Sequence, residues 1–252
     1  MYMSALHIKV YDIEAGSSES VADGYEPYMS ESGGRMWREG TSKLMYQPSD
    51  DPNNANIEVW RDNCTVCQFP TLSPNGEYVA WSGQLPDSTY GTAVAEFQSG
   101  SIIASFTGFT DRAAWTSSGA LVIGGDALYR IEIPDDEPQL LTDAFPGAAS
   151  PVVDSATERI AFHYENEIWT SALDGSDAVQ VTTSGEGSRW AFFSPDGASL
   201  VVTHGQTNEP PLVVVDAHPA EPIDLDEAGT GVELVELAEN AGISADGPFT
   251  WR

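Results

Sequence analysis

Residues 190–202 read WAFFSPDGASLVV and residues 69–81 read FPTLSPNGEYVAW. Each is an apolar strand, a tight Ser-Pro-Asx-Gly turn and a second apolar strand. Proline suits the second turn position because its φ is already set, and glycine closes the turn because it tolerates positive φ. The frame recurs more loosely at 26–38 (EPYMSESGGRMWR), 112–123 (RAAWTSSGALVI), 150–162 (SPVVDSATERIAF) and 240–252 (NAGISADGPFTWR). The turn residues are then Gly33, Gly76, Gly119, Thr157, Gly197 and Gly247, at intervals of 43, 43, 38, 40 and 50. A period near 40 residues is that of a four-stranded propeller blade.

Third strands follow at 43–47, 92–97, 127–133, 167–173 and 211–217, and fourth strands at 57–60, 101–106, 138–142, 178–182 and 222–226. All are short, rich in β-branched or aromatic residues, and bounded by Gly, Pro, Asp or Ser. Residues 232–239 (VELVELAE) are ambiguous and sit in an enlarged connection. The last repeat stops after its second strand, while residues 5–14 and 17–23 read as a third and a fourth strand ahead of the first repeat. The sequence therefore predicts an all-β six-bladed β-propeller with four antiparallel strands per blade, spanning residues 1–252 as a single domain. Its first strands begin near 26, 69, 112, 150, 190 and 240. The last blade is closed by strands 5–14 and 17–23 pairing with 240–252, which places His7 and Trp251 in one blade. Such closure hides sheet edges that otherwise invite aggregation.

Ten Lys and Arg stand against 39 Asp and Glu, a formal charge of −29. That field repels phosphate backbones and argues against a nucleic-acid partner. The acids are scattered over loops, as in a solubilising surface; divalent-cation binding or a basic partner is the sharper alternative. No apolar run approaches the roughly 18–20 residues of a membrane helix, so membrane insertion is not expected. No charged-then-apolar leader opens the chain. Cys64 and Cys67 are spaced C-x-x-C. A single such pair cannot supply four zinc ligands, and Gln68 in place of His excludes haem attachment. A local disulfide and two ordinary thiols remain open.

Pro70 to Gly76 with Val79-Ala80-Trp81, Ser194 to Gly197, Ile160-Ala161-Phe162, Leu173-Asp174-Gly175 and Leu141-Thr142 together resemble the TolB-like propeller repeat. The resemblance covers nearly the whole chain but only the propeller part of TolB, whose N-terminal domain has no counterpart here. It implies a binding or scaffold role, with a protein or peptide partner at the channel-mouth face and a periplasmic or other extracytoplasmic setting in a bacterial envelope. TolB itself partners an envelope lipoprotein. A monomer is expected. Fold alone does not fix function.

In a propeller the loops from fourth to first strand and from second to third emerge around one mouth of the central channel. This places Glu26, Phe69, Arg112, Arg189 and Trp190, and from the second set His163, Tyr164, Glu165 and His204, at the candidate ligand-binding face. Arg112 and Arg189 either offset neighbouring acids or meet an anionic, carboxylate-bearing ligand. His163 and His204 with Glu165 are either ordinary loop residues or ligands of a metal. The strand tryptophans Trp37, Trp60, Trp81, Trp115 and Trp169 are read as inter-blade packing. On the opposite face, Asp50-Asp51 with Asn53, Asn54 and Asn56, Asp135-Asp136-Glu137, and Asp174 with Asp177 form oxygen-rich hairpins of the kind that suits Ca²⁺. None has the spacing of a known calcium loop. There is no G-x-S-x-G elbow and no H-E-x-x-H. The competing reading is a hydrolase or lyase acting on a sugar or lactone at the mouth, with a metal as its aid.

Overall fold

The computed structural model describes residues 7–12, 17–29, 34–40, 43–48, 57–61, 66–134, 137–205, 211–227 and 233–234. The strands are short, many of them buried along most of their length, as in β-sheets covered on both faces, and no helix occurs among the described residues. A two-stranded sheet opens the chain: β1 (His7–Asp12) pairs antiparallel with β2 (Ser17–Asp23). Five four-stranded antiparallel sheets follow. Blade one comprises β3 (Tyr25–Met29), β4 (Arg35–Glu39), β5 (Lys43–Gln47) and β6 (Ile57–Arg61). Blade two comprises β7 (Cys67–Leu72), β8 (Tyr78–Gln84), β9 (Tyr90–Glu96) and β10 (Ile102–Thr107). Blade three comprises β11 (Ala113–Trp115), β12 (Leu121–Gly124), β13 (Leu128–Ile131) and β14 (Gln139–Thr142). Blade four comprises β15 (Ala149–Asp154), β16 (Arg159–Tyr164), β17 (Glu167–Ala172) and β18 (Val179–Gln180), and is followed by the short β19 (Thr182–Thr183). Blade five is built on β20 (Ser188–Phe193), β21 (Ser199–His204) and β22 (Leu212–Asp216); β23 (Ile223–Asp224) and β24 (Glu233–Leu234) end the described chain. Neighbouring first strands lie against each other in the order β3, β7, β11, β15, β20. The fold is an all-β propeller.

The Ser-Pro-Asx-Gly turn works through its first hydroxyl. Ser73 Oγ accepts the amide of Tyr78 at 2.9 Å and donates to Asn75 Oδ1 at 2.7 Å. Ser194 Oγ likewise accepts from Ser199 N at 3.0 Å and donates to Asp196 Oδ1 at 2.6 Å. Thr116 Oγ1 accepts from Ala120 N at 3.0 Å. All three hydroxyls belong to buried residues, so each turn satisfies its own polar groups at the foot of a blade. Gly76, Gly119 and Gly197 take φ of 72°, 88° and 69°, as the motif requires. The fourth turn departs from expectation. Its positive φ falls on Glu158 rather than on Thr157, because Asp154 replaces the turn serine and its carboxylate accepts both Thr157 N, at 2.9 Å, and Thr157 Oγ1.

The hydrophobic core is repeated between sheets. One cluster joins blades one and two through Met36, Leu44, Leu72, Val79 and Trp81. The next clusters join two to three, three to four, and four to five. Trp37, Trp81 and Trp115 are buried, and Trp169 packs on Phe145 at 5.2 Å. Trp81, Trp115 and Trp169 belong to clusters that join blades, as expected of them; the Trp60 side chain lies outside the described set. Hydrogen bonds also cross between blades, from Tyr28 Oη to Leu72 O at 3.1 Å and from Trp115 Nε1 to Thr71 O at 3.3 Å.

One expectation needs correction. Residues 222–226 do not form the outer strand of blade five. Ile223 and Asp224 instead pair parallel with Thr182 and Thr183, and Ile223 and Leu225 join Val181 in the core between blades four and five. Burial of those two side chains draws the segment inward, and Glu233 and Leu234, from the ambiguous stretch, take the outer place by pairing with Val214 and Val213. Five four-stranded blades and the β1–β2 pair stand among the described residues where six blades were expected. Residues 240–252, with the expected closure of Trp251 on His7, lie outside the described set.

Candidate functional site

Positions 26, 69, 112, 150 and 190 are equivalent in the repeat and carry Glu, Phe, Arg, Ser and Trp. Four of the five inner strands break register here, between Tyr25 and Tyr28, Gln68 and Thr71, Ala149 and Val152, and Ser188 and Ala191. Such bulges re-aim side chains at sheet ends. Phe69 and Ser150 each take φ of 52°. The Arg189 and Trp190 amides turn to Thr203 Oγ1, at 3.4 and 3.0 Å.

The redirected side chains meet across the channel. The Phe69 ring, from blade two, lies 5.7 Å from that of Trp190, from blade five. The exposed Arg189 guanidinium stands 5.1 Å over the Trp190 ring. Arg112 leaves blade three and reaches blade five, its Cζ 4.4 Å above the Phe192 ring. Arg112 is only 6% exposed and Trp190 4%. Burial pushes the Arg112 guanidinium down to about 10, with Tyr28 and Asp111 opposing the shift, so it stays charged at neutral pH. Among the described residues, Arg112 Nη1 and Trp190 Nε1 are buried with no hydrogen-bond partner. A buried charged donor left in that state costs about 1–3 kcal/mol or more. Asp111 is engaged elsewhere: it accepts Arg112 N at 2.7 Å, Ser150 N at 2.5 Å and Ser150 Oγ at 2.9 Å, tying blades three and four together at the rim.

His163 joins this group. Its pKa is lowered, first by burial; nearby Asp111 opposes the shift and Arg189 adds to it. A histidine with a depressed folded pKa contributes stability above its ordinary value of about 6.5, and that stability is lost as pH falls through the folded value. Replacing His163 with Gln should therefore raise the melting temperature relative to wild type increasingly as pH drops from about 7.5 to 5. His218 titrates alike in both chains and cancels. A gap that does not change with pH would show that His163 is not titrating in this way.

The remaining expected residues are placed apart. Tyr164 turns into the inter-blade core, 5.2 Å from Phe145 and 6.0 Å from Trp169. Glu165 is exposed in a turn with φ of 51°. His204 is held by Asp226 Oδ1 at 3.3 Å and Ser184 Oγ at 3.3 Å. Ser184 Oγ is itself occupied by the amides of Glu186 and Gly187, both at 3.1 Å, so it serves the turn. Glu26 lies on β3 within its bulge, and its side chain is outside the described set. No three His, Cys, Asp or Glu side chains among the described residues come together to hold a metal. Asp50–Asn56 and Asp135-Asp136 are outside the described residues. Cys67 is disulfide-bonded; the chain's other cysteine, Cys64, lies outside them. Sequence reading missed Phe192 and Tyr28. The available signal was that Phe192 follows Trp190 by two positions on the same inner strand.

No family model matches the chain, and no curated protein matches it in sequence. Solved structures do. Putative TolB from Agrobacterium tumefaciens aligns with a TM-score of 0.70 at 17% identity, over 90% of this chain and 87% of that one. TolB from Acinetobacter baumannii aligns with a TM-score of 0.68 at 12% identity over 83% of this chain, which spans only 57% of that protein. A chain of the nidogen/laminin complex aligns with a TM-score of 0.58 at 14% identity, over 70% of this chain and 72% of that one. No described helix is long and apolar enough to cross a membrane. The described residues thus share the β-propeller fold of these TolB structures.

Proposed function

We propose that the chain is a non-catalytic binding propeller that takes a protein or peptide partner at the channel mouth. The observation that carries this reading is the mouth itself: an aromatic pair, Phe69 and Trp190, beside Arg189, His163 and Arg112, in a chain of formal charge −29. Aromatic and arginine side chains clustered at a concave centre are what binding hot spots use. The partner is not a nucleic acid, and the chain acts as a monomer. An extracytoplasmic setting is supported by the likeness to TolB proteins and by the disulfide at Cys67, since such bonds persist in oxidising compartments.

The ring, in this proposal, has six blades, with β1 and β2 as the outer strands of the last and residues 240–252 as its inner ones. The binding reading is tested by immobilising the protein and challenging it with envelope extract. A specific partner should be retained by wild type and by Asp174→Asn on the opposite face, and lost by Arg189→Glu and Trp190→Ala. Retention that ignores both mouth substitutions overturns the reading.

A further inference from the structure

We propose that the channel beneath Phe69 and Trp190 is a carboxylate-binding site built on Arg112, and that it takes the free C-terminus of a peptide ending in an apolar residue. This rests on the binding reading above and names its ligand chemistry.

Arg112 is the first reason. Buried guanidinium groups are ordinarily paired or fully hydrogen-bonded. Arg112 forms no ion pair among the described residues and keeps Nη1 unpartnered, although the chain carries 39 acidic residues. Its neighbour Asp111 points its carboxylate at Ser150 instead. A guanidinium in this state matches a planar carboxylate, which can accept two parallel N–H groups from it. One cation calls for one negative charge. A doubly charged phosphate would bring a second charge into a site where Asp111 already stands nearby.

The surroundings fix the rest. Trp190 Nε1 is a second buried donor without a partner, and the Phe69, Trp190 and Phe192 rings offer an apolar wall for the residue that bears the carboxylate. Arg189 is exposed at the rim and gives an approaching anion a local attraction against the negative field of the chain. A chain end reaches a buried guanidinium with only one peptide group behind it. An internal Asp or Glu would have to bury two flanking peptide groups and leave their N–H and C=O unsatisfied.

The test uses calorimetric titration of the full chain with pools of N-acetylated tetrapeptides ending in Leu, Phe or Trp, each as the free acid and as the amide. N-acetylphenylalanine serves as the small-molecule arm. The free acids should bind at least about tenfold more tightly than the amides, as expected where a charge-assisted pair is lost. In Arg112→Met that preference should disappear, and in Arg112→Lys it should be reduced, because the planar fork is gone. The melting temperature of Arg112→Met should hold or rise, since a buried charge with no ion-pair partner among the described residues has been replaced by an apolar chain. Amides that bind as well as acids overturn the carboxylate site and leave the peptide reading standing. N-acetylphenylalanine binding as tightly as the pools, with the same dependence on Arg112, retains the carboxylate chemistry and overturns the peptide as its source. No binding by any probe overturns both. A melting temperature that falls by more than about 5 °C in Arg112→Met, with Arg112→Lys unchanged in acid preference, assigns the residue to packing and also overturns the site.

Discussion

Gly83→Ala should destabilise the domain by about 3 kcal/mol or more, the upper end of what overpacking costs. Gly83 sits in β8 with Cys67 opposite on one side and Gly91 on the other. A Cβ built on it would lie 1.6 Å from Val66 O and 2.8 Å from Val66 C. These are backbone atoms, so no rotamer change relieves the clash, and β7 must separate from β8 at the mouth. Gly91 repeats the constraint one strand further out, where a Cβ would lie 2.1 Å from Phe106 O. Gly76→Ala makes the control. Its φ is 72°, but nothing lies within 4 Å of the added carbon, so it bears only the left-handed penalty of about 1–2 kcal/mol. Urea denaturation of the two variants should rank Gly83→Ala well below Gly76→Ala. The reverse order would mean that β7 and β8 do not approach each other as closely as described.

Removing residues 1–14 should lower stability by about 3 kcal/mol or more, or roughly 6–12 °C for a domain of this size. The cut deletes β1, which pairs with β2 along its whole length from His7–Asp23 to Asp12–Ser17 and also lies against β3. Several ladder hydrogen bonds at about 1 kcal/mol each are lost, and β2 is left as a bare edge. In the proposed ring the loss goes further, because the last blade then lacks the strand that joins the two chain ends. The truncated protein should melt over a broader range and associate through its exposed edge, as light scattering would show. An unchanged melting temperature would mean that five blades stand without the N-terminal strand and that the proposed six-bladed closure is wrong.

The blades were legible because their signals are local. A turn serine that caps its own hairpin, a glycine with positive φ and short apolar runs bounded by turn residues all act within about a dozen residues, and the strand ranges of the first three blades follow from them with shifts of only a few residues. Residues 222–226 were misplaced because their competition with 233–234 is settled by packing: Ile223 and Leu225 find Val181 in the neighbouring blade, which a propensity reading cannot see. Glu158 was missed because an aspartate can cap the turn in place of serine and shift the strained position by one. At the mouth, the repeat gave equivalent positions but not the surroundings of their side chains. Arg112 and Arg189 look alike in sequence, yet one is buried against Phe192 and the other exposed over Trp190. Tyr164 and His204 end the second strands of their blades and are claimed there by Phe145 and by Asp226. Arg112, Tyr164 and His204 each meet a partner from another part of the chain, in Phe192, Phe145 and Asp226.

The register breaks in the inner strands separate two jobs that a regular strand would force together. Above each break the side chain belongs to the mouth; below it, the regular ladder with the second strand resumes and the side chains pack between sheets. A substitution at 69 or 190 therefore leaves the pleat beneath it in phase. The ring of equivalent positions is a set of variable letters in a repeated frame, so in the proposed binding role a change of partner can be written at single positions of the ring, by drift or by a designer.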